Sequence, residues 1–562
     1  MSLIKITHLI LSVFFVFLFV SLYRLQVIPG RENKENSYNN TRINKSKIVL
    51  PGIITDRANK VLACNVPSYS VSIMPAEFEN SVGNMALLSR VVGLPSNHIK
   101  ALIARNSHRP LESVVLQRYM NNGIQARFEE NIARLRGVFT ESNPIRSYPF
   151  GNTGAHVVGY PVIIQQRTGK LNANYQFGGF AGAMADGYWF NLFTRERIGK
   201  KTPKLTIESL EANQHYLLLS KIGLDIRLTI DVELQGEIDD FLGNNVGAVV
   251  VMDVNNGEIL ALASKPSFDP NLLIDFKDHP TADLISNELR NSLINRAVAK
   301  AVPPGSIIRS ITAVAGLSTG AIEPKTKVIC NGIFVHSNKI FKCHRPHGSV
   351  GLSRAIAENC NVYFCKFWRE IGAVRLGYYF KAFGLGKRVG IGLPSEIKGI
   401  VPSPDWKIRQ IGNRWNSLDT LDMAMGQGFL SATPLQMCNV IASISNGGIL
   451  RAPHISTTNL LGVEQIGNQL SVLPKHLKII RDAMRRVCSK GGTASKLAEL
   501  GFELGGITGT SINNSNVHHE WFIGFAPFEN PKVACCVLIE SSMDKASIAV
   551  RIAGKVLSRA IR

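Results

Sequence analysis

The sequence predicts an α+β protein in which a C-terminal domain, 226–562, folds an antiparallel sheet covered by helices, behind a smaller mixed module, 48–225. Three observations carry that reading. Gly247-Ala-Val-Val-Val-Met-Asp253 and 259–263 are apolar runs of strand length on either side of Asn256-Gly257, a dipeptide that turns hairpins. Stretches of helical length follow at 284–301, 306–317, 352–368 and 421–428, and 533–539 supplies a late core strand. At the other end, 6–23 is apolar apart from Thr7, His8, Ser12 and Ser21, long enough at helical rise to cross most of a bilayer.

Bulk properties set the frame for these elements. A length of 562 residues suggests about three or four domain-sized units, and 45% hydrophobic residues exclude a disordered chain. The net charge of +22 comes without a Lys/Arg run of nucleic-acid type, so it is spread over surfaces and by itself fits anionic lipid or glycan-polymer neighbours as readily as nucleic acid. No nucleic-acid partner is expected for the chain as a whole. Nine cysteines in so long a chain do not form a disulfide framework, and Cys535-Cys536 read as core.

Taken in order, residues 1–30 form a short tail and a transmembrane signal-anchor, because no small-residue cleavage site of the Ala-x-Ala kind follows the apolar run. Only Lys5 precedes the span while Arg24, Arg31 and Lys34 follow it, a balance that by itself argues against exporting the C-terminus. Residues 31–47 are polar and rich in Asn and Lys, a juxtamembrane spacer. The module 48–225 opens with strand-like alternation over 49–57 and 68–74, and its Gly-rich 178–182 is a loop without the flanking strand and helix of a dinucleotide fingerprint.

Within 226–562, Pro303-Pro304-Gly305-Ser306-Ile307-Ile308-Arg309 is a rigid turn that delivers a serine to a helix start. Ser306 and Arg309 then share a helix face, with the serine amide among the unpaired N–H groups where an oxyanion binds. Three short polar stretches lie downstream: Asn359-Cys360-Asn361, Met425-Gly426-Gln427-Gly428 and Gly505-Gly506-Ile507-Thr508-Gly509-Thr510. Cys330, Cys343, His347 and Cys360 follow the pattern C-x12-C-x3-H-x12-C, a ligand set suited to structural zinc. His344 is an alternative ligand, and a Cys330–Cys343 disulfide or simple burial of the thiols stays open. His518-His519-Glu520 is assigned to the loop after Ser511.

A serine on a helix, a polar x-Cys-Asn some way on and a late Thr-Gly-Thr strand resemble the penicillin-recognising serine acyl transferases. The chain resembles class B penicillin-binding proteins, elongation-type penicillin-binding protein 2 in particular, at Leu22-Tyr-Arg-Leu-Gln-Val27, Gly52-Ile-Ile-Thr-Asp-Arg57, Arg146-Ser-Tyr-Pro-Phe150, His156-Val-Val-Gly-Tyr160 and Leu228-Thr-Ile-Asp231. Further matches are Pro404-Asp-Trp-Lys407, Gly426-Gln-Gly428, Thr433-Pro-Leu-Gln436 and Trp521-Phe-Ile-Gly-Phe-Ala-Pro527. The resemblance implies a single anchor in the bacterial inner membrane, an elongated pedestal (dimerisation-like) domain and a periplasmic transpeptidase domain, which reverses the orientation suggested by local charge. It implies acylation of Ser306 by a peptidoglycan stem peptide or lipid-linked precursor, acylation of the same serine by penicillin-type β-lactams, and partnership with a SEDS-type glycan polymerase and rod-complex scaffold proteins. It also implies oxyanion donation by the Ser306 and Thr510 amides, substrate contacts at Gln427, Thr508 and Gly509, and a zinc near the active site, bound in some homologues by Asp, His and Cys.

Three positions depart from the family pattern. Arg309 stands for the lysine of Ser-x-x-Lys, and a guanidinium stays protonated where the family needs a base. Asn359 stands for the relay serine of the second motif, ahead of its Asn361, and Ile507 stands for the lysine of Lys-Thr-Gly. These changes predict impaired turnover, with a catalytically inactive scaffold or activator of the polymerase as the alternative.

Overall fold

A computed structural model describes residues 12–21, 23, 52–106, 110–117, 120, 122–142, 144–159, 225–273, 287–393, 395–457, 467–512, 517–540 and 547–562. They fall into two compact units, the first contributing 12–21 and 23 and the second all the rest. In the first, 12–21 are helical, with Phe14, Phe15, Phe17 and Phe19 exposed. No helix among the described residues is long and apolar enough to cross a membrane. The remainder of the expected span, the 31–47 spacer and the 178–182 loop lie outside the described residues.

The second unit opens with β1 (Ile54–Thr55), β2 (Val61–Val66) and β3 (Tyr69–Ile73), then α1 (Val82–Val92), α2 (Ser96–Arg105), β4 (Val114–Gln117), α3 (Asn122–Asn131), β5 (Val138–Ser142) and β6 (Ile145–Ser147). The strand expected to run to residue 57 stops at Thr55. Asp56 ends it, because its buried carboxylate accepts the amides of Ala58, Lys60 and Val232 and so bends the chain back into β2. Sheet β4-β3-β5 carries its own small core of Val71, Ile73, Met85, Leu88 and Phe128. Sheet β6-β2-β1 is extended by β7 (Ile226–Arg227), parallel to β1, and its Ile54, Leu62 and Ile226 join the main core.

That core surrounds one five-stranded sheet. Helix α4 (Val232–Leu242), capped by Asp231, leads into β8 (Gly247–Asp253) and β9 (Ile259–Lys265), the antiparallel hairpin that Asn256-Gly257 predicts. Downstream come α5 (Arg309–Thr319), β10 (Lys327–Cys330), β11 (Ile333–His336), β12 (Lys339–Lys342), β13 (Gly348–Gly351), α6 (Leu352–Ala357), α7 (Asn361–Ile371), α8 (Ala373–Ala382), α9 (Pro404–Ile411), α10 (Ser417–Ala424) and α11 (Pro434–Ser445). The chain closes with β14 (Ile449–Leu450), β15 (Asn468–Gln469), α12 (Pro474–Val487), β16 (Gly505–Ile512), β17 (His518–Ala526), β18 (Val533–Glu540) and α13 (Ile548–Ala560). The sheet order is β16-β17-β18-β8-β9, antiparallel throughout. Helices α4 and α13 pack together on β9, β17 and β18, and α11 packs on β8, β17 and β18. Strands β8 and β18 are therefore buried along nearly their whole length, which is why both read as unbroken apolar runs rather than alternating ones.

Four expected helices are corrected. The run 284–301 is broken, because Asn295 turns its carboxamide onto the Ala297 amide and caps a new turn, leaving helices Asn287–Ser292 and Arg296–Ala299. The run 306–317 begins as a 3-10 turn, Gly305–Ile308, before α5. The run 352–368 divides into α6 and α7 at Asn359, whose φ of 55° lies in the left-handed region. The run 421–428 starts earlier, at an Asn416/Asp419 capping box, and ends before Gly426, where φ is 74°. A fifth correction moves His518-His519-Glu520 from a loop to β17, since β16 continues to Ile512 and pairs Ser511 with His519. Glu520 there accepts from the Ser547 hydroxyl and the amides of Ile548 and Ala549, capping α13.

Candidate active site and cysteine cluster

The proline-proline-glycine sequence that opens the site is held by backbone contacts that admit no side chain. Gly305 has φ 60°, and a Cβ on it would lie 2.2 Å from the Thr510 carbonyl oxygen. Its amide donates to the Gly426 carbonyl at 2.8 Å, and a Cβ on Gly426 would lie 2.1 Å from the Gly305 oxygen. The Pro303 carbonyl accepts from Ser511 Oγ at 2.6 Å and Trp521 Nε1 at 3.1 Å. The serine turn is thus clamped between β16 and the loop after α10, with Ser306 only 7% exposed. Helix α5 is tied to α10 by Thr312 Oγ1, which donates to Ala424 O at 3.0 Å.

Arg309 opens α5 and is buried, as expected of a residue one turn on from the serine. Its guanidinium fork faces the loop between α6 and α7. Nη1 donates to Asn359 Oδ1 at 2.6 Å, and Nη2 donates to Asn361 Oδ1. Its Cζ lies 5.3 Å from the centre of the Phe364 ring. Burial brings the guanidinium down to about 10, opposed by the neighbouring Cys365, Cys360 and Cys343 thiols, so it remains a cation at neutral pH. Asn361 Nδ2 in turn donates to the Lys342 carbonyl. The first two motifs therefore form one hydrogen-bonded unit.

The third motif lies along β16. Thr508 is half-buried and Thr510 exposed, whereas Ile507 is buried in the core opposite Ile523. Gly509 allows the strand to approach the turn: a Cβ there would meet Ile307 N at 3.0 Å and Pro304 O at 3.1 Å. Gln427 follows the clamping Gly426 and is half-buried. Thr493, which belongs to none of the three motifs, also reaches this strand: its hydroxyl is 2.8 Å from that of Thr508 and its amide donates to Ala357 O. The signal that marks it is the Gly491-Gly492-Thr493 turn.

Behind the Asn359 loop, Cys330, Cys343, His347 and Cys360 converge, their ligand atoms all within 4.8 Å of one another. Cys330 Sγ is 3.7 Å from Cys343 Sγ and 3.3 Å from His347 Nδ1, and Cys343 Sγ is 3.9 Å from Cys360 Sγ. All nine cysteines are free, so Cys330 and Cys343 are not bridged. Hydrogen bonding from Cys360, with the amides of Val362 and Asn361, pulls the Cys343 thiol below its usual range. His347 Nε2 lies 3.9 Å from Glu358, which pairs with Arg345 and Arg354. Cys360 is the N-cap of α7, between the two asparagines that hold Arg309.

The serine turn lies against β16 on one side and leads on the other into the Arg309–Asn359–Asn361 unit. That order of elements is the one found in serine acyl transferases of the penicillin-recognising class. Residues 247–558 match the penicillin binding protein transpeptidase domain, and 51–184 match the penicillin-binding protein dimerisation domain. The chain belongs to the penicillin-binding protein transpeptidase family, on the penicillin-binding protein 2 branch that acts in peptidoglycan synthesis and elongation. It is 29% identical over 571 residues to the peptidoglycan D,D-transpeptidase MrdA of Escherichia coli K12, covering 93% of this chain and 88% of that protein. It is 26% identical over 539 residues to the stage V sporulation protein D of Bacillus subtilis. Its fold is similar to Helicobacter pylori penicillin-binding protein PBP2 in complex with MreC, at TM-score 0.74 and 24% identity over 91% of this chain and 97% of that one.

Proposed function

We propose that this chain is a penicillin-binding protein 2-like component of the cell-elongation machinery whose Ser306 is acylated slowly by stem peptides and penicillins. In the family reaction the serine oxygen attacks the carbonyl of the penultimate D-alanine, the bond to the terminal D-alanine breaks, and that residue leaves as an amine carrying the proton. A second amine then attacks the ester and frees the serine. The observation that carries the reading is the Arg309 fork: both outer nitrogens are spent on Asn359 and Asn361, and the group stays charged at neutral pH. It can neutralise an anion but cannot take the serine proton. Loss of a positioned base costs roughly 10² to 10⁴ in rate. The remaining oxyanion donors, the Ser306 and Thr510 amides by family analogy, support a residual rate.

The apolar segment 6–23 serves as the inner-membrane anchor, with the domain over 226–562 in the periplasm. Partners of this kind of protein are a SEDS-type glycan polymerase and rod-complex scaffolds, and a structural neighbour is itself a complex with MreC. Zinc belongs at Cys330, Cys343, His347 and Cys360. Arms of about 2.3 Å to sulfur and 2.1 Å to nitrogen would give tetrahedral edges of about 3.5 to 3.8 Å; three of the six separations of these atoms are 3.3, 3.7 and 3.9 Å and the others lie within 4.8 Å. When bound, the ion stiffens the loop and, with three thiolates, leaves a net negative charge behind Arg309.

Intact-mass spectrometry of the protein incubated with a penicillin tests the function. The expected result is a slowly forming adduct that is absent from Ser306→Ala. Rapid stoichiometric acylation would overturn the impairment, and an adduct surviving Ser306→Ala would remove the serine from its role. The alternative of an inactive scaffold predicts no adduct at any time together with undiminished rescue of growth by Ser306→Ala.

A further inference from the structure

A cavity of about 370 Å³ lies between the C-terminal half of α8, the segment 384–389, α11 and the β14–β15 pair. None of its lining residues comes from the serine turn, the Asn359 loop or β16. Its wall carries Lys381, Lys387, Arg388 and Arg451, and no Asp or Glu is among the lining residues. The first three cations are exposed, and none of the four forms an ion pair among the described residues. Glu396, which approaches Arg388, is buried and already accepts the amides of Val389 and Gly390.

The cavity also holds an unmet donor and an unmet acceptor. Asn439, 4% exposed, donates its carboxamide NH2 to the Arg451 carbonyl, but its Oδ1 has no partner. The buried Nε of Arg451 has none either. A fully deprotonated phosphate group would satisfy the arginine and leave the asparagine oxygen facing another acceptor. An amide or a sugar hydroxyl offers both a donor and an acceptor. Tyr378, 58% exposed, meets Tyr379 edge-on at 5.2 Å, so the mouth has aromatic rings of the kind that take the apolar face of a sugar or a peptide side chain.

We propose that this cavity is a binding site, separate from the acyl cleft, for an acidic glycopeptide that presents carboxylates to Lys381, Lys387 and Arg388 and an amide or hydroxyl to Arg451 and Asn439. The class of ligand rests on the peptidoglycan reading above. It is a muropeptide with free carboxylates. Helix α8, which forms one wall, packs directly on the nucleophile helix α5, so the site holds glycan against the same body that carries Ser306.

The test is calorimetric titration of the full chain in detergent micelles with a soluble disaccharide-tetrapeptide whose carboxylates are free. Ser306→Ala is expected to bind it as the parent protein does, which separates this site from acylation. Lys387→Gln/Arg388→Gln, and independently Lys381→Gln, should weaken binding, the double variant by about tenfold. A muropeptide with amidated carboxylates should bind about as weakly to the parent protein. Unchanged melting temperatures show that the exposed substitutions leave the fold intact, and the single variant serves if the double one does not fold. Absence of binding, equal affinity in the variants, or displacement by inorganic pyrophosphate would each overturn the proposal, the last by showing a plain anion site.

Discussion

Arg309 Nη1 and Asn359 Oδ1, on residues 50 apart in the chain, meet at 2.6 Å inside a buried site. On the function proposed above, each residue stands where the family carries a group that moves a proton, and together they make a static donor–acceptor pair. The two departures compensate one another structurally, because a fork that fills the lysine position needs carbonyl oxygens to receive it.

Replacing Arg309 with lysine should therefore restore a titratable amine. Arg309→Lys is expected to speed the formation of the penicillin adduct on Ser306 by roughly 10²-fold, read as adduct mass against time. Lost bonds to Asn359 and Asn361 should cost about 1 to 3 kcal/mol of stability. An unchanged adduct rate at intact fold would mean that something other than the missing base limits acylation.

The cysteine cluster predicts one zinc per chain by elemental analysis of protein purified without chelator. Cys330→Ser and Cys360→Ser should each lose the metal and melt at a lower temperature, and chelation should lower the parent's melting temperature to match. A metal-free protein lighter by two hydrogens would instead indicate a disulfide.

Gly426→Ala places a methyl group against the Gly305 carbonyl at a left-handed backbone position. Because the obstructing atom is backbone, the turn itself must move. The variant should lose penicillin labelling at Ser306 and about 2 kcal/mol or more of stability, measured by denaturant titration.

Lys407 ends up in a different kind of role from the acyl site. Its buried Nζ contacts both carboxylate oxygens of Asp419, at 2.9 and 2.7 Å, locking α9 to the capping box of α10. Lys407→Met should cost about 3 to 5 kcal/mol by leaving the carboxylate unpaired, and Lys407→Met/Asp419→Asn should recover part of that loss.

His156 donates from Nε2 to the Ser292 carbonyl at 2.7 Å, and burial lowers its pKa to about 4. The folded protein holds it neutral while the unfolded chain takes up a proton near pH 6.5. Stability is thus fully present above pH 6.5 and falls progressively toward pH 4, by about 3 kcal/mol from this residue. Melting curves between pH 7 and 4 should fall less steeply for His156→Gln than for the parent protein.

In the sequence by itself, local pattern was enough for the α+β class, the β8–β9 hairpin, the late core strand and the serine turn, and residue type and spacing marked the three cysteines and one histidine that converge. It was less able to place the helix breaks. Asn359 reads as one polar residue in an apolar helical run, and only the fork of Arg309 arriving from α5 explains why the chain turns left-handed there. The tertiary structure likewise decided that Glu520 caps α13, that Lys407 is buried on Asp419, and that Gly305, Gly426 and Thr510 meet. Such contacts join segments as much as 205 residues apart. Which glycine must be bare, and which cation is spent, depends on what another part of the chain brings within reach.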